Sequence, residues 1–247
     1  LGIKIYSNNQ NCKVYGKGLK GFNYKKNIIL NAGNSGTAAR LLCASVIDSN
    51  QYIKITGDES LKKRDMGRIT GPLSKFGAKI KDNKKKLPLL IKGPKILKPI
   101  TYHENLGSAQ CKSAVMIAAL KTQGKTKIRC LPSRNHTELM FQKVLKVPIK
   151  IKKKNKYETI EINGLNEFNK FNYKIPGDIS SAAFFIVLVL LAKNLSLIIK
   201  DVNINPSRTG IIKILNKMGA KIKFFNKKNY KGEIVADIFV KSVNELK

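Results

Sequence analysis

A pattern of helix, strand, helix and strand pair occurs three times along the chain, and it constrains the fold more than any other sequence feature. Each copy opens with small polar residues before an apolar helix, and a loop with one arginine follows the next strand. The helix openings lie near Asn34, Ser108 and Ser180. The loop arginines follow one another at spacings of 70 and 74 residues: Arg64, Arg134 and Arg208. We therefore expect a mixed α/β (α+β) fold in which each copy packs its helices on one sheet face.

Short strand pairs separate the copies. Alternating apolar residues in 78–92, 149–163 and 221–240 predict three hairpins with lysine-rich turns. Residues 1–30 resemble the end of such a copy, so the chain is expected to begin inside a folding unit. The polar segment 164–175 lacks an apolar period, and we expect a domain boundary there.

The formal net charge is +33, from 48 Lys and Arg against 15 Asp and Glu. Such a charge attracts nucleic acid or an anionic membrane surface at low salt. However, the lysines are spread over the whole chain, Trp is absent, and no strand carries closely spaced aromatics for base stacking. We therefore expect nucleic acid to bind only non-specifically, through charge. The longest apolar run, 182–192, is shorter than the ~20 residues of a membrane span and predicts a buried helix.

Neither a metal site nor a disulfide framework is expected. The cysteines show no CxxC spacing, and His103 and His136 are isolated from other ligand types. No signal peptide is visible, so a cytoplasmic protein with reduced, buried thiols is expected. The cysteines are Cys12, Cys43, Cys111 and Cys130.

The first candidate for ligand binding is the loop that leads into a helix at 31–42, NAGNSGTAARLL. Gly33 and Gly36 leave backbone N–H groups free to face a ligand, and Ser35 or Thr37 can cap the helix. An ordinary capped helix after a turn explains this loop equally well. Three matched openings, each followed by an arginine, favour a site for a small phosphorylated and carboxylated anion. No carboxylate pair or nucleophile–base pair indicates a mechanism.

Six ordered motifs, which span nearly the whole chain, resemble those of 5-enolpyruvylshikimate-3-phosphate synthases. The sequences of these motifs are most similar to those of the bacterial class II branch of that family. The motifs are NAGNSGTAARLL (31–42), GDESLKKRDMGRITGPLSKFGA (57–78), GSAQCKSAVMIAAL (107–120), SRNHTELM (133–140), PGDISSAAFF (176–185) and NPSRTGIIKILNKMGA (205–220).

The resemblance implies βαβαββ folding units of the enolpyruvyl transferase fold, three per domain in the complete enzyme. Residues 1–174 would form most of the N-terminal domain, and 175–247 one folding unit of the C-terminal domain. The implied reaction transfers the enolpyruvyl group of phosphoenolpyruvate to the 5-hydroxyl of shikimate 3-phosphate and releases phosphate, in the biosynthesis of chorismate and aromatic amino acids. The resemblance implies no metal or organic cofactor, no membrane, and a monomer when complete.

Residue by residue, the resemblance implies two sets of ligand contacts. Those to phosphoenolpyruvate are Gly36, Arg64, Gln110, Asn34 and Thr37. Those to shikimate 3-phosphate are Ser108, Ala109, Gln110 and Arg134. Structural roles are expected for Arg40, Asp178 and Arg208. The family's acid and base groups have no counterpart in these 247 residues, so no catalytic residue is assigned and the chain alone is expected to be inactive.

Two positions bear on how such a site would bind its ligands. Asp65 stands where the family usually has proline, and we expect its carboxylate beside Arg64 to weaken phosphoenolpyruvate binding. Gly36, where a bulkier residue would crowd the pocket, predicts sensitivity to glyphosate in a complete enzyme.

Three alternatives to this function remain at the level of sequence. A UDP-N-acetylglucosamine enolpyruvyl transferase is disfavoured, because that family carries a catalytic-loop cysteine and the Arg64 loop has none. A basic nucleic-acid-binding protein would exploit the net charge of +33. A non-catalytic or decayed homologue would explain the absent acid and base groups.

Overall fold

The computed structural model describes residues 1–164 and 168–246. The chain forms two compact units. The first comprises Leu1–Ser133 and Val147–Asn169, and the second comprises Arg134–Lys146 and Lys170–Lys247. The segment 164–175, expected to hold a domain boundary, includes residues 165–167, which lie outside the described residues. That boundary therefore stays a prediction.

The first unit opens with a hairpin and then forms a complete βαβαββ repeat. The elements are β1 (Lys4–Ser7), β2 (Cys12–Tyr15), β3 (Ile29–Asn31), α1 (Gly36–Ser45), β4 (Ile53–Thr56), α2 (Glu59–Lys62), α3 (Gly67–Lys75), β5 (Lys79–Asn83) and β6 (Lys86–Lys92). Strand β4 pairs in parallel with β3 and antiparallel with β6, which in turn pairs antiparallel with β5. The sheet order is therefore β3-β4-β6-β5.

A second sheet of the same topology follows in the first unit. Its repeat contains β7 (Thr101–Glu104), α4 (Ala109–Leu120), β8 (Lys125–Cys130), α5 (His136–Leu139), a π-helical turn (Met140–Val144), β9 (Ile149–Lys154) and β10 (Tyr157–Asn163). The sheet order β7-β8-β10-β9 repeats that of the first sheet, with β7 and β8 parallel. Helix α5 and the π-helical turn belong to the second unit.

The second unit contains the third copy. Its elements are α6 (Ile179–Leu191), β11 (Ser196–Asn203), α7 (Gly210–Lys217), β12 (Ile222–Tyr230) and β13 (Glu233–Lys241). The sheet order is β11-β13-β12. A parallel bridge between Gly177 and Val202 stands where a parallel first strand lies in the other two sheets. The expected repeat and the mixed α/β class are thus confirmed.

Helices α1 and α4 pack against each other inside the first unit. Their fully or nearly fully buried positions carry mainly small side chains, which allow two helices to approach closely: Ala39, Cys43, Ala44, Ala114, Ala118 and Ala119. Gln110, at the start of α4, bonds to Arg40 and Thr37 near the start of α1. Lys121, just after α4, bonds to the carbonyl of Ser45 at the end of α1. The two helices therefore run parallel, with their N-termini side by side.

Some sequence-based expectations are wrong. Cys43, Cys111 and Cys130 are buried, but Cys12 is exposed, because β2 is exposed along its whole length.

The apolar run at 182–192 lies in α6. This helix was expected to be buried, but one side of it is exposed. Phe184, Leu188 and Leu191 lie on one side of the helix at 79%, 60% and 72% exposure. The opposite side, which includes Ile186 and Leu190, belongs to the core of the second unit. None of the helices in the described ranges is long and apolar enough to cross a bilayer.

A matched pair of isoleucines tests which residues stabilise the first unit. Ile55 on β4 is fully buried, whereas Ile96 is 76% exposed. Ile55→Ala should lower the free energy of unfolding by about 3 kcal/mol, because it leaves a cavity in the core. Ile96→Ala should change it by less than about 0.5 kcal/mol. Urea unfolding monitored by circular dichroism measures both; equal losses would contradict the burial of β4.

Candidate functional site

The loop before α1 has the geometry that its polar and glycine residues favour. Gly33 adopts a positive φ of 56°, and its N–H donates to Asn31 Oδ1 at 2.9 Å. Ser35 is the N-cap of α1, since its Oγ accepts the N–H of Ala38 at 3.1 Å. Of the two residues expected to cap the helix, Ser35 is therefore the cap. Thr37 lies inside the helix, where its hydroxyl bonds to Gln110.

A second loop, which carries Arg64, lies directly against this helix opening. A Cβ on Gly57 would lie 2.7 Å from the carbonyl oxygen of Gly33, so the close approach of the two loops requires glycine. Asn34 bridges them: its Nδ2 donates to Asp58 Oδ2 at 2.5 Å, and its Oδ1 accepts from Arg64 Nη2 at 3.2 Å. Asn34 thus holds the exposed Arg64 guanidinium at the start of α1.

Asp58 is kept ionised by its hydrogen bonds. The backbone N–H of Leu61 and then the Asn34 amide donate to this carboxylate and hold its pKa below the usual value. Because an ionised carboxylate only accepts hydrogen bonds, it fixes the Asn34 amide with its nitrogen toward Asp58 and its oxygen toward Arg64.

Gln110 connects α4 of the second repeat to α1 of the first. Arg40 Nη1 donates to Gln110 Oε1 at 2.8 Å and to the carbonyl oxygen of Gly36 at 3.2 Å. Gln110 Nε2 donates to Thr37 Oγ1 at 2.6 Å. Since a guanidinium has no acceptor, Arg40 determines which way the Gln110 amide points. The expected structural role of Arg40 is therefore to orient a candidate ligand residue.

Two guanidinium groups flank Gly36. A Cβ at this position would lie 2.7 Å from Arg40 Nη1 and 3.2 Å from Arg64 Nη1. The adjacent N-termini of α1 and α4 add partial positive charge. Residues from separate parts of the sequence thus form one cationic site suited to a small anion: Asn34, Gly36, Thr37, Arg64 and Gln110.

The loop before α4 holds Ser108, Ala109 and Gln110. Ser108 is the N-cap, with its Oγ accepting the N–H of Cys111 at 3.3 Å. The N–H of Ser108 donates to Glu104 Oε2 at 2.9 Å. Sequence reasoning missed Glu104, although one signal existed: an acidic residue four positions before a helix opening in a chain with only 15 acidic residues.

Arg134 is the candidate residue that the structure does not group with the others. It is exposed and belongs to the second unit, whereas the remaining candidates belong to the first. Its guanidinium has no hydrogen-bond or salt-bridge partner within the described ranges. This arginine is therefore free to contact an anion.

The arginine of the third copy is already neutralised. Asp178 caps α6, and its Oδ1 accepts from Arg208 Nη2 at 2.6 Å; Ser180 Oγ also lies 2.6 Å from that nitrogen. Both residues therefore have the structural roles expected for them.

In the same unit, His136 Nδ1 lies 2.6 Å from Glu233 Oε1. Burial opposes ionisation of Glu233, but hydrogen bonds from His136 and its neighbours outweigh it and lower the pKa.

The Asp65 carboxylate is bonded to the backbone of its own loop. Its Oδ1 accepts the N–H of Gly67 at 2.5 Å, at the start of α3, and among the described residues it forms no salt bridge with Arg64. The carbonyl of Asp65 also accepts from Arg40 Nη2 at 3.5 Å. The carboxylate therefore restrains the loop and leaves the Arg64 guanidinium to other partners.

In the described parts of the chain, no group of three or more His, Cys, Asp and Glu side chains could hold a metal ion. The residues assigned to the cationic site around Gly36 offer nitrogen donors, amide groups and a hydroxyl, a set that suits carboxylate and phosphate oxygens, and the Asp58 carboxylate beside them is bonded to Asn34.

The repeated βαβαββ sheets place the chain among α/β proteins built from similar folding units. The family model described as EPSP synthase (3-phosphoshikimate 1-carboxyvinyltransferase) matches residues 1–244. The chain belongs to this family, and the resemblance inferred from the motifs is confirmed.

Relatives and solved structures agree with this assignment. Two curated relatives named 3-phosphoshikimate 1-carboxyvinyltransferase, from Vesicomyosocius okutanii and Ruthia magnifica, are 44% and 42% identical to the chain. Each alignment covers 98% of the chain and 54% of the relative. A solved EPSP synthase from Acinetobacter baumannii is similar at a TM-score of 0.82 and 36% identity, covering 97% of this chain and 54% of that one. The chain thus spans about half the length of these proteins.

A pair of helical glycines tests the close packing at the site. Gly36→Ala should push the Arg40 guanidinium away and break its bond to Gln110, lowering the free energy of unfolding by about 1 kcal/mol. Gly71→Ala, in α3 with open space around it, should instead raise it by about 0.5–1 kcal/mol, because alanine favours the helix. Urea unfolding compares the two. If Gly36→Ala stabilised the chain as much as Gly71→Ala, the described geometry of Arg40 would be wrong.

Proposed function

We propose that the chain binds the substrates of an enolpyruvyl transferase, which moves the enolpyruvyl group of phosphoenolpyruvate to the 5-hydroxyl of shikimate 3-phosphate and releases phosphate. The observation that carries this proposal is the pair of guanidinium groups beside Gly36, at two parallel helix N-termini. Membership of the EPSP synthase family supports the identity of the two ligands.

Phosphoenolpyruvate is assigned to the cationic site around Gly36. Arg64 is bonded to Asn34 through Nη2 at 3.2 Å, so its other N–H groups remain for a carboxylate or phosphate. Gly36 allows the ligand to approach the backbone. Thr37 and Gln110 supply a hydroxyl and an amide that are already oriented by a mutual bond of 2.6 Å.

Shikimate 3-phosphate is assigned to the opening of α4. Ser108 caps this helix, and Ala109 and Gln110 begin its first turn, where backbone N–H groups favour a phosphate. Gln110 belongs to both ligand sets, and it would contact the two substrates together. We also assign Arg134 to this ligand, because the family motif implies it and its exposed guanidinium has no partner in the described parts of the chain.

The domain organisation is part of the same proposal. Residues 1–174 would be most of an N-terminal domain and 175–247 one folding unit of a C-terminal domain. The curated relatives are nearly twice as long, and none of the assigned ligand residues forms an acid–base pair. We therefore propose that these 247 residues bind substrates without turnover, while the complete enzyme is a cytoplasmic monomer.

The net charge of +33 favours a second candidate, a nucleic-acid-binding protein. Such binding would fall steeply with salt, because it depends on counterion release. It would also not require Gln110. Binding of shikimate 3-phosphate to a built site depends much less on salt and needs that side chain.

Thermal unfolding at 150 mM and 500 mM NaCl would separate the two functions. Shikimate 3-phosphate at about 100 times its Kd should stabilise the chain by about 2.7 kcal/mol at both salt concentrations, since it binds only the folded state. Heparin, the probe for charge alone, should stabilise it only at the lower salt.

Matched glutamine variants provide the control. Gln110→Ala should abolish most of the stabilisation by shikimate 3-phosphate, whereas Gln123→Ala, at an exposed bend after α4, should leave it unchanged. Heparin stabilisation without any effect of shikimate 3-phosphate would favour the nucleic-acid-binding function instead.

A further inference from the structure

Glu104 carries an acidic side chain that neither the motifs nor the proposed ligand sets include. It ends β7 and is only 3% exposed. A carboxylate is costly to bury unless it is paired and hydrogen-bonded, so its surroundings should show what it does. Its hydrogen bonds and its ion pair with Arg68 lie within the first unit.

Both oxygens of Glu104 are used. Oε1 accepts the N–H of Leu106 at 3.3 Å and faces Arg68 Nη2 at 3.3 Å. Oε2 accepts the N–H of Ser108 at 2.9 Å. The carboxylate thus closes the turn 104–108 from the inside. Gly107, at a φ of 65°, provides the left-handed residue that the turn requires.

This turn determines how Ser108 is presented. Its N–H is taken by Glu104, and its Oγ accepts the N–H of Cys111. A hydroxyl that accepts one bond still has its own hydrogen to donate. No acceptor for that hydrogen occurs among the described residues, so the O–H is available to an external anion.

Arg68 explains how an acidic residue can stand next to a phosphate site. An isolated carboxylate close to the α4 N-terminus would repel a phosphate. Arg68 neutralises the Glu104 carboxylate. The Arg68 side chain is 43% exposed, so the ion pair stays in contact with water on the Arg68 side. The carboxylate can then hold backbone N–H groups without leaving net negative charge at the helix opening.

We propose that Glu104 is a positioning residue for shikimate 3-phosphate: its buried carboxylate, paired with Arg68, sets the 104–108 turn so that the Ser108 hydroxyl faces the ligand. The identity of the ligand rests on the proposed function above. The placement of the turn rests on the contacts of Glu104 alone.

The test uses the 247-residue chain in two measurements. Isothermal titration with shikimate 3-phosphate gives Kd, and amide hydrogen exchange without ligand reports the N–H groups of Leu106 and Ser108. Glu104→Gln should raise Kd at least about tenfold, since hydrogen bonds to a charged group are lost. It should also speed exchange at one or both of these amides at least about tenfold, because the single oxygen of an amide side chain replaces two carboxylate oxygens and one N–H loses its acceptor.

Two further variants distinguish positioning from general destabilisation. Glu158→Gln alters another buried acidic residue of the first unit, on β10 and paired with Lys153 at 3.3 Å; both Kd and the two exchange rates should stay within about twofold. Arg68→Gln keeps the two bonds from backbone N–H groups but removes the neutralising charge. It should raise Kd with little change in exchange.

The results separate this inference from the proposed function. If the unmodified chain binds shikimate 3-phosphate and Glu104→Gln changes neither Kd nor exchange, the role of Glu104 is wrong and the function stands. If the unmodified chain binds none, the proposed function and the ligand-facing role both fail, whereas the exchange rates still decide whether Glu104 sets the turn.

Discussion

The parallel pairing of α1 and α4 is the constraint on which the site depends. Small buried residues allow the helices to pack closely, and Gln110 joins their N-terminal ends through Arg40 and Thr37. At the other end, Lys121 bonds to the Ser45 carbonyl and to Asp48, both at 2.6 Å. Two helix N-termini side by side concentrate positive partial charge, and the two guanidinium groups beside Gly36 increase it. An anion at this point would relieve a repulsion that the packing itself creates.

The three copies use the same helix opening in different ways. Ser35 and Ser108 cap α1 and α4 with neutral hydroxyls, so the positive ends of these helices remain available to a ligand. Asp178 caps α6 with a carboxylate that also pairs with Arg208. The third opening therefore contains its own anion. The loop arginines are equivalent in sequence, but only those of the first two copies are left for an external ligand.

Much of the fold could be predicted, because the repeat fixes the order of the elements. The spacing of Arg64, Arg134 and Arg208 located the three copies, and the sheets of the first two share one strand order. Exposure was harder to predict. A continuous apolar run does not reveal that Phe184 and Leu188 lie on an exposed side of α6.

The candidate site was predictable where single motifs define it and not where side chains from different repeats meet. The Arg40–Gln110 contact joins residues 70 positions apart, so local spacing contains no signal for it. The partner of the Asp65 carboxylate was not predictable either, because the sequence does not show that the Gly67 N–H donates to it.

The central claim is that the openings of α1 and α4 are adjoining parts of one site, linked by Gln110, and a ligand titration followed by two-dimensional NMR of the backbone amides tests it most directly. At 150 mM NaCl, shikimate 3-phosphate should shift amides in 104–110 and in 31–40 along a single saturation curve, because Gln110 joins the two segments. Shifts spread over the lysine-rich hairpins, or confined to one of the two openings, would contradict a shared site.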